Sequence, residues 1–193
     1  MGVKTKKLSE GKFWFKADEI NLDFLKSEEF SNKGSSLRGS VMILGPLLTR
    51  FGVGALPRPG GDKIGRRRMD TTFLGFKELG AEFSYENSTG FFTANVPGGK
   101  LKGKSILLDE ASVTGTANLV MAAVMAEGIT TIYNAACEPY LQQLCKIINK
   151  MGGKISGVGS NLLTIEGVTE LRGAKHRCLP DMIEVGSFIG MAA

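Results

Sequence analysis

Ser40-Val-Met-Ile-Leu-Gly-Pro-Leu-Leu-Thr-Arg-Phe51-Gly52 spaces Val41, Leu44, Leu47, Leu48 and Phe51 along one face of a helix and ends on a glycine. Thr116–Glu127 repeats the pattern with Leu119, Val120, Ala123 and Val124, and stops at Gly128. Glycine is the usual stop because it alone enters the left-handed conformation at little cost. Strand-like runs follow both stops, Gly54–Leu56 and Ile129–Tyr133. A second helix comes next in each half. One starts near Asp70, a candidate cap, carries Phe73, Phe76 and Leu79 on one face, and stops at Gly80. The other starts near Pro139, carries Leu141, Leu144, Ile148 and Met151, and stops at Gly152.

The match continues past the second helices. Gly80-Ala-Glu-Phe-Ser84 aligns with Gly152-Gly-Lys-Ile-Ser156, and both lead into strand–turn–strand, with turns at Asn87–Gly90 and Gly157–Asn161. Leu101-Lys-Gly103 then aligns with Leu171-Arg-Gly173. The unit is helix–strand–helix–strand–strand, with copies over about residues 36–109 and 112–181. Lys12–Asp18 reads as the closing strands of an earlier copy and Glu184–Ala193 as the opening helix of a later one. Residues 1–193 are therefore expected to be a single α/β (α+β) domain, incomplete at both ends. Gly52 and Gly128 are 76 positions apart and Gly80 and Gly152 are 72 apart, so the first copy carries four extra residues around Pro57–Arg68.

That insertion is the most informative loop: Pro57-Arg-Pro-Gly-Gly-Asp62-Lys-Ile-Gly-Arg-Arg67-Arg68-Met69-Asp70. Glycines let backbone approach a ligand closely, and Arg58, Lys63, Arg66, Arg67 and Arg68 around the single carboxylate of Asp62 suit a phosphorylated substrate. A solvated charged loop is the alternative. Asp62, with an ordinary pKa of about 3.9, can donate a proton at neutral pH only if burial or a bound anion offsets those cations. Ser112-Val-Thr-Gly115 is either an ordinary helix cap or a diphosphate site. Glu138, ahead of Pro139, is either a placed carboxylate or favourable charge at a helix start. Arg38 near the start of a helix opposes the dipole there and hints at a ligand anion.

Composition bounds the rest. An apolar fraction of 42% and a charged fraction of 22% fit a soluble globular protein. The longest apolar run, Leu119–Ala126, is far short of the roughly 20 residues a membrane helix needs, and Met1–Glu10 is basic and polar with no apolar stretch after it. Three cysteines without CxxC spacing point to reduced thiols and a cytoplasmic location. The single histidine, His176, permits no triad and no His-rich metal site, and is expected on a surface strand. Cys137 and Cys145 are expected to pack beside an apolar helix, and Trp14 and the methionines to lie in the core. No Walker or GxGxxG pattern is present, no aromatic is interleaved with the loop cations, and the net charge of +5 does not by itself indicate nucleic acid.

Arg38–Pro46, Pro59–Asp70, Asp109–Thr116, Asn134–Pro139 and Leu179–Glu184 together resemble, in order and across nearly the whole chain, the UDP-N-acetylglucosamine 1-carboxyvinyltransferase family. The resemblance implies an enolpyruvyl-transferase-type domain of repeated βαβαββ units, helices inside and sheets outside, as in an inside-out α/β barrel. It implies transfer of enolpyruvate from phosphoenolpyruvate to the 3-hydroxyl of UDP-N-acetylglucosamine, the first committed step of peptidoglycan synthesis, with no metal or cofactor. Asp62 would be the loop acid. Arg38 and Arg67 would contact anionic substrate groups. Arg68, Met69, Asp70 and Thr71 would line the sugar-nucleotide site, Glu110, Ala111, Ser112 and Val113 its diphosphate and sugar side, and Glu138 would lie near the reacting centre. The partners implied are the two substrates and a second domain, without which the chain is expected to be inactive; no membrane or nucleic acid is implied. Asp62 stands where most members carry cysteine, the target of fosfomycin, so resistance to that epoxide is expected. Arg68 replaces a usual proline and Glu110 a usual lysine, and the family's amino-terminal Lys-Asn pair does not occur before Arg38. The shikimate-pathway enolpyruvyl transferases share the fold but lack the loop motif. A shikimate-pathway enzyme and a polyanion-binding module remain the alternatives.

Overall fold

The computed structural model describes residues 1–61 and 69–193. The elements of the second copy are β6 (Ser105–Leu107), α4 (Val113–Ala123), β7 (Ile129–Tyr133), α5 (Pro139–Lys150), β8 (Lys154–Ser156) and β9 (Leu162–Glu166). Those of the first are α2 (Leu44–Phe51), β3 (Val53–Pro57), α3 (Asp70–Glu78), β4 (Glu82–Glu86) and β5 (Phe91–Asn95). Before it come the hairpin β1 (Lys4–Ser9) and β2 (Lys12–Lys16) and the helix α1 (Glu28–Ser36); α6 (Met182–Ala192) closes the chain.

The repeat is visible in individual hydrogen bonds. After α3, Gly80 N–H donates to Lys77 and Ala81 N–H to Phe76; after α5, Gly152 N–H donates to Asn149 and Gly153 N–H to Ile148. Lys102 N–H reaches the Leu79 carbonyl at 2.9 Å, as Arg172 N–H reaches that of Met151 at 2.7 Å. Both stop glycines are left-handed, Gly80 at φ 96° and Gly152 at φ 103°, and each turns the chain out of its helix into the closing hairpin.

The sheets have matching order, β3-β5-β4 and β6-β7-β9-β8, antiparallel except for the parallel β6–β7 pair. They are open and lie outside the helices. Along β7, Thr130 and Ile132 point inward while Ile129 and Tyr133 are exposed. α4 is the central element: Gly115–Val120, Ala122 and Ala123 are all buried, and α2, α3 and α5 pack around it. Two close crossings allow this. A Cβ on Gly75 would lie 2.5 Å from Leu119, and one on Gly45 would overlap the Asn118 carbonyl oxygen. Asn118 itself is fully buried; its Oδ1 accepts from Gly45 N–H at 3.1 Å and its Nδ2 lies 3.7 Å from Met42 Sδ.

The structure corrects several expectations. The helix anticipated over Ser40–Phe51 is a 3₁₀ turn, Arg38–Ile43, leading into α2, because Pro46 has no N–H for the Met42 carbonyl and its ring crowds that group. Among the described residues the first copy has no opening strand: beside β3, where β6 lies beside β7, is a 3₁₀ helix, Leu22–Lys26, capped by Asn21. Trp14 is 43% exposed, along with Phe13 and Phe15, because β1 and β2 pair with each other and no described element covers either face. Met182 and Met191 are likewise exposed, on α6. His176 lies in no strand. Its segment is held to α5 by a side chain, Leu179 N–H donating to Gln143 Oε1, and both its ring nitrogens are shielded from solvent without a partner among the described residues.

The cysteines divide. Cys145 is buried in the main core, whereas Cys137, expected to pack, is exposed in the connection before α5, as is Cys178. Burial pushes the Cys145 thiol up to about 11. An aromatic disulfide reagent at pH 8 is therefore expected to titrate Cys137 and Cys178 in the native protein and Cys145 only after denaturation. Since the unfolded thiol ionises near 8.5, the contribution of Cys145 to stability is complete below about pH 8.5 and falls as pH rises toward 11.

Candidate active site

The described residues among those predicted from the sequence lie at the starts of α3, α4 and α5 and on the 3₁₀ turn before α2. Asp62, Arg67 and Arg68 lie outside the described residues. The loop's first leg is fixed: Gly61 packs on Arg38, so that a Cβ there would lie 3.3 Å from the Arg38 backbone nitrogen, and Gly60 sits tightly on the Ser35 carbonyl. Arg38 opens the 3₁₀ turn that also carries Met42, and Met42 packs against the cluster of Ala117, Ala136 and Leu141, as Val113 does. The loop's entry is thus anchored to the segment that runs along α4.

Asp70 does not cap α3. It is the first helical residue, preceded by the N-cap Met69 at φ −119° and ψ 2°, whose side chain makes no cap hydrogen bond. A carboxylate in the first turn still favours the helix dipole. Thr71, next in line and buried, donates its Oγ1 hydrogen to Asp109 Oδ1 at 2.6 Å, which joins α3 to the connection between β6 and α4. In that connection Glu110 and Ala111 are exposed, and Ser112 is an N-cap, its Oγ accepting from Gly115 N–H at 3.2 Å. The cap reading of Ser112 therefore holds, and it leaves the Val113 and Thr114 amides at the start of an eleven-residue helix, where an anion is favoured.

The connection from β7 to α5 is tied to the same place. Ala136 N–H donates to Thr116 Oγ1 at 3.0 Å, and Asn134 Nδ2 donates to the Leu108 carbonyl at 3.0 Å. Asn134 holds φ at 57°, the one non-glycine residue with positive φ among the described residues, and turns the chain toward Glu138. Glu138 precedes Pro139 without capping α5, and its Oε2 is shielded from solvent with no hydrogen-bond partner among the described residues. A shielded carboxylate oxygen beside a helix N-terminus can receive a proton or a ligand hydroxyl. Sequence reading missed Asn134 and gave Asp109 no role of its own, because neither signals its partner: both bonds span more than 25 positions. The cavity of about 500 Å³ between Leu22–Lys26 and β3–β5 holds none of the predicted residues.

The whole chain, residues 1–193, matches the family described as EPSP synthase (3-phosphoshikimate 1-carboxyvinyltransferase). The chain belongs to the EPSP synthase family. Within that family it is 61% identical over 193 residues to the UDP-N-acetylglucosamine 1-carboxyvinyltransferase of Bacteroides thetaiotaomicron, covering all of this chain and 44% of that protein. It is 62% and 60% identical to the proteins of the same name from Bacteroides fragilis and Porphyromonas gingivalis, again covering 44% of each. The chain spans less than half the length of these relatives. Among solved EPSP synthase-type structures, the enolpyruvyl transferase NikO from Streptomyces tendae superposes with a TM-score of 0.72 at 17% identity, over 97% of this chain and 43% of that one. EPSP synthase from Acinetobacter baumannii gives 0.61 at 21% identity, over 90% and 38%. These two likenesses bear on the fold, and agree with helices inside open sheets.

Proposed function

We propose that this chain is the sugar-nucleotide-binding part of a longer cytoplasmic enzyme that transfers enolpyruvate from phosphoenolpyruvate to the 3-hydroxyl of UDP-N-acetylglucosamine, the reaction that commits the sugar to peptidoglycan and so to cell shape and division. The observation that carries this reading is identity of about 61% along the whole chain to proteins named for that reaction. Asp62 acts as the acid that protonates the methylene carbon of phosphoenolpyruvate. Arg38 and Arg67 hold substrate anions, while Arg68, Met69, Asp70 and Thr71 meet the sugar nucleotide from one side. Glu110–Val113 meet it from the other, and Glu138 stands near the reacting hydroxyl. Addition to the double bond forms a tetrahedral ketal, and loss of phosphate restores the enol ether. Such chemistry needs cations at the phosphate and a proton donor at carbon, and the loop composition offers both.

The test is phosphate release by the full-length protein with phosphoenolpyruvate and either UDP-N-acetylglucosamine or shikimate 3-phosphate. Turnover with the second alone would overturn the reading. The 193-residue chain by itself is expected to show no turnover, because the chemistry takes place between this part and the remainder. It is nevertheless expected to bind UDP-N-acetylglucosamine weakly, so that ligand at ten times the dissociation constant adds about 1.4 kcal/mol to stability. A thermal shift of a few degrees checks this, and unlike polyanion binding it should survive 0.5 M salt.

A further inference from the structure

We infer that Asp109 is a positioning residue of the sugar-nucleotide site: through Thr71 it clamps the start of α3 to the β6–α4 connection, and so sets the spacing between the two segments that meet the ligand. The inference rests on the function proposed above. Its basis is local. The N-cap residue of α3, Met69, makes no side-chain cap hydrogen bond. Support comes instead from the β6–α4 connection, where the Asp109 carboxylate lies 2.6 Å from Thr71 Oγ1 in the first turn of α3. A carboxylate in that position favours the positive end of the helix, and a hydrogen bond to a charged acceptor is about twice as strong as a neutral one. Thr71 is 4% exposed, so without Asp109 its hydroxyl would be left in a nearly dry place. Asp109 is also one residue from Glu110 and three from the cap Ser112, both in the segment assigned to the diphosphate and sugar. The Thr71–Asp109 bond joins the two segments assigned to the ligand, Met69–Thr71 and Glu110–Val113.

The experiment uses the full-length enzyme. Asp109→Ala and Thr71→Val are each expected to raise KM for UDP-N-acetylglucosamine roughly tenfold, the loss of one hydrogen bond to a charged group, while KM for phosphoenolpyruvate stays within twofold. Thr71→Ser, which keeps the hydroxyl, should restore the wild-type value. The Asp109→Ala/Thr71→Val double variant should be no worse than either single one. In the same proteins without substrate, amide exchange over residues 69–74 should quicken in both single variants and not in Thr71→Ser. Unchanged KM and unchanged exchange would overturn the clamp, as would an equal rise in both KM values or failure of Thr71→Ser to rescue. A wild-type enzyme that ignores UDP-N-acetylglucosamine would overturn the functional reading itself, and the exchange arm would still report on whether the bond forms.

Discussion

Replacing Asp62 by Asn in the full-length enzyme is expected to lower kcat by about 10² to 10⁴, the usual worth of a placed general acid, with KM for UDP-N-acetylglucosamine changed only a few-fold. Asparagine keeps the shape and hydrogen-bonding capacity of the side chain but has no proton to give at carbon. To act as the proposed acid, Asp62 would have to carry a proton although the sequence sets five cations around it, which favour a carboxylate. In the proposed reaction the negative charge of phosphoenolpyruvate would offset those cations and favour the protonated form. The kcat profile should therefore fall as pH rises through the pKa of Asp62 in the substrate complex, and that limb should vanish in Asp62→Asn. Asp62→Cys is the converse variant. It should keep substantial turnover and become inactivated by fosfomycin, with one adduct on residue 62, because a thiolate attacks an epoxide where a carboxylate does so poorly. Wild-type enzyme carrying an adduct on Asp62 would refute the assignment of resistance to that residue.

The second large effect concerns the fold. Phe76→Ala is expected to destabilise the protein by about 3–5 kcal/mol, a substantial part of the 5–15 kcal/mol that domains possess. Phe76 is fully buried on α3, its ring 6.0 Å from that of Phe83 on β4, and Phe73 one turn earlier lies 4.9 Å from Phe83 and 5.1 Å from Phe92. These rings fasten α3 to the outer sheet while Gly75 lets it press against Leu119 of α4. The midpoint of thermal unfolding should drop by roughly 10 °C, and a loss under 2 °C would show that the site collapses around the deletion.

Much of this arrangement was legible beforehand because the repeat is written in punctuation. Gly52, Gly80 and Gly152 follow the ends of α2, α3 and α5 with positive φ, as their place in the sequence predicts; Gly128 also has positive φ, but α4 already ends at Ala123, short of the stop expected there. What failed to show is physical in each case. Leu22–Lys26 and α1 carry short mixed runs whose order comes from packing Leu25 and Phe30 against Leu47, a partner far along the chain. Trp14 reads as core by type, but burial depends on what lies across from it, and a hairpin paired only with itself supplies no such partner. At the candidate site, Ser112 was legible as a cap because its acceptor role is local. The Thr71–Asp109 bond was not, because side-chain pairing across 38 positions leaves no trace in spacing.

Asn118 has a consequence for which arrangement of the core wins. An aliphatic helix lying on another can slide by a turn, about 5.4 Å, and bury nearly the same oily area. Here such a slip would strand a carboxamide and the Gly45 N–H in a dry interior, at about 1–3 kcal/mol for each orphan. The bond works like a key in a slot. It adds little to how tightly α2 and α4 adhere, and a great deal to there being one rung at which they meet.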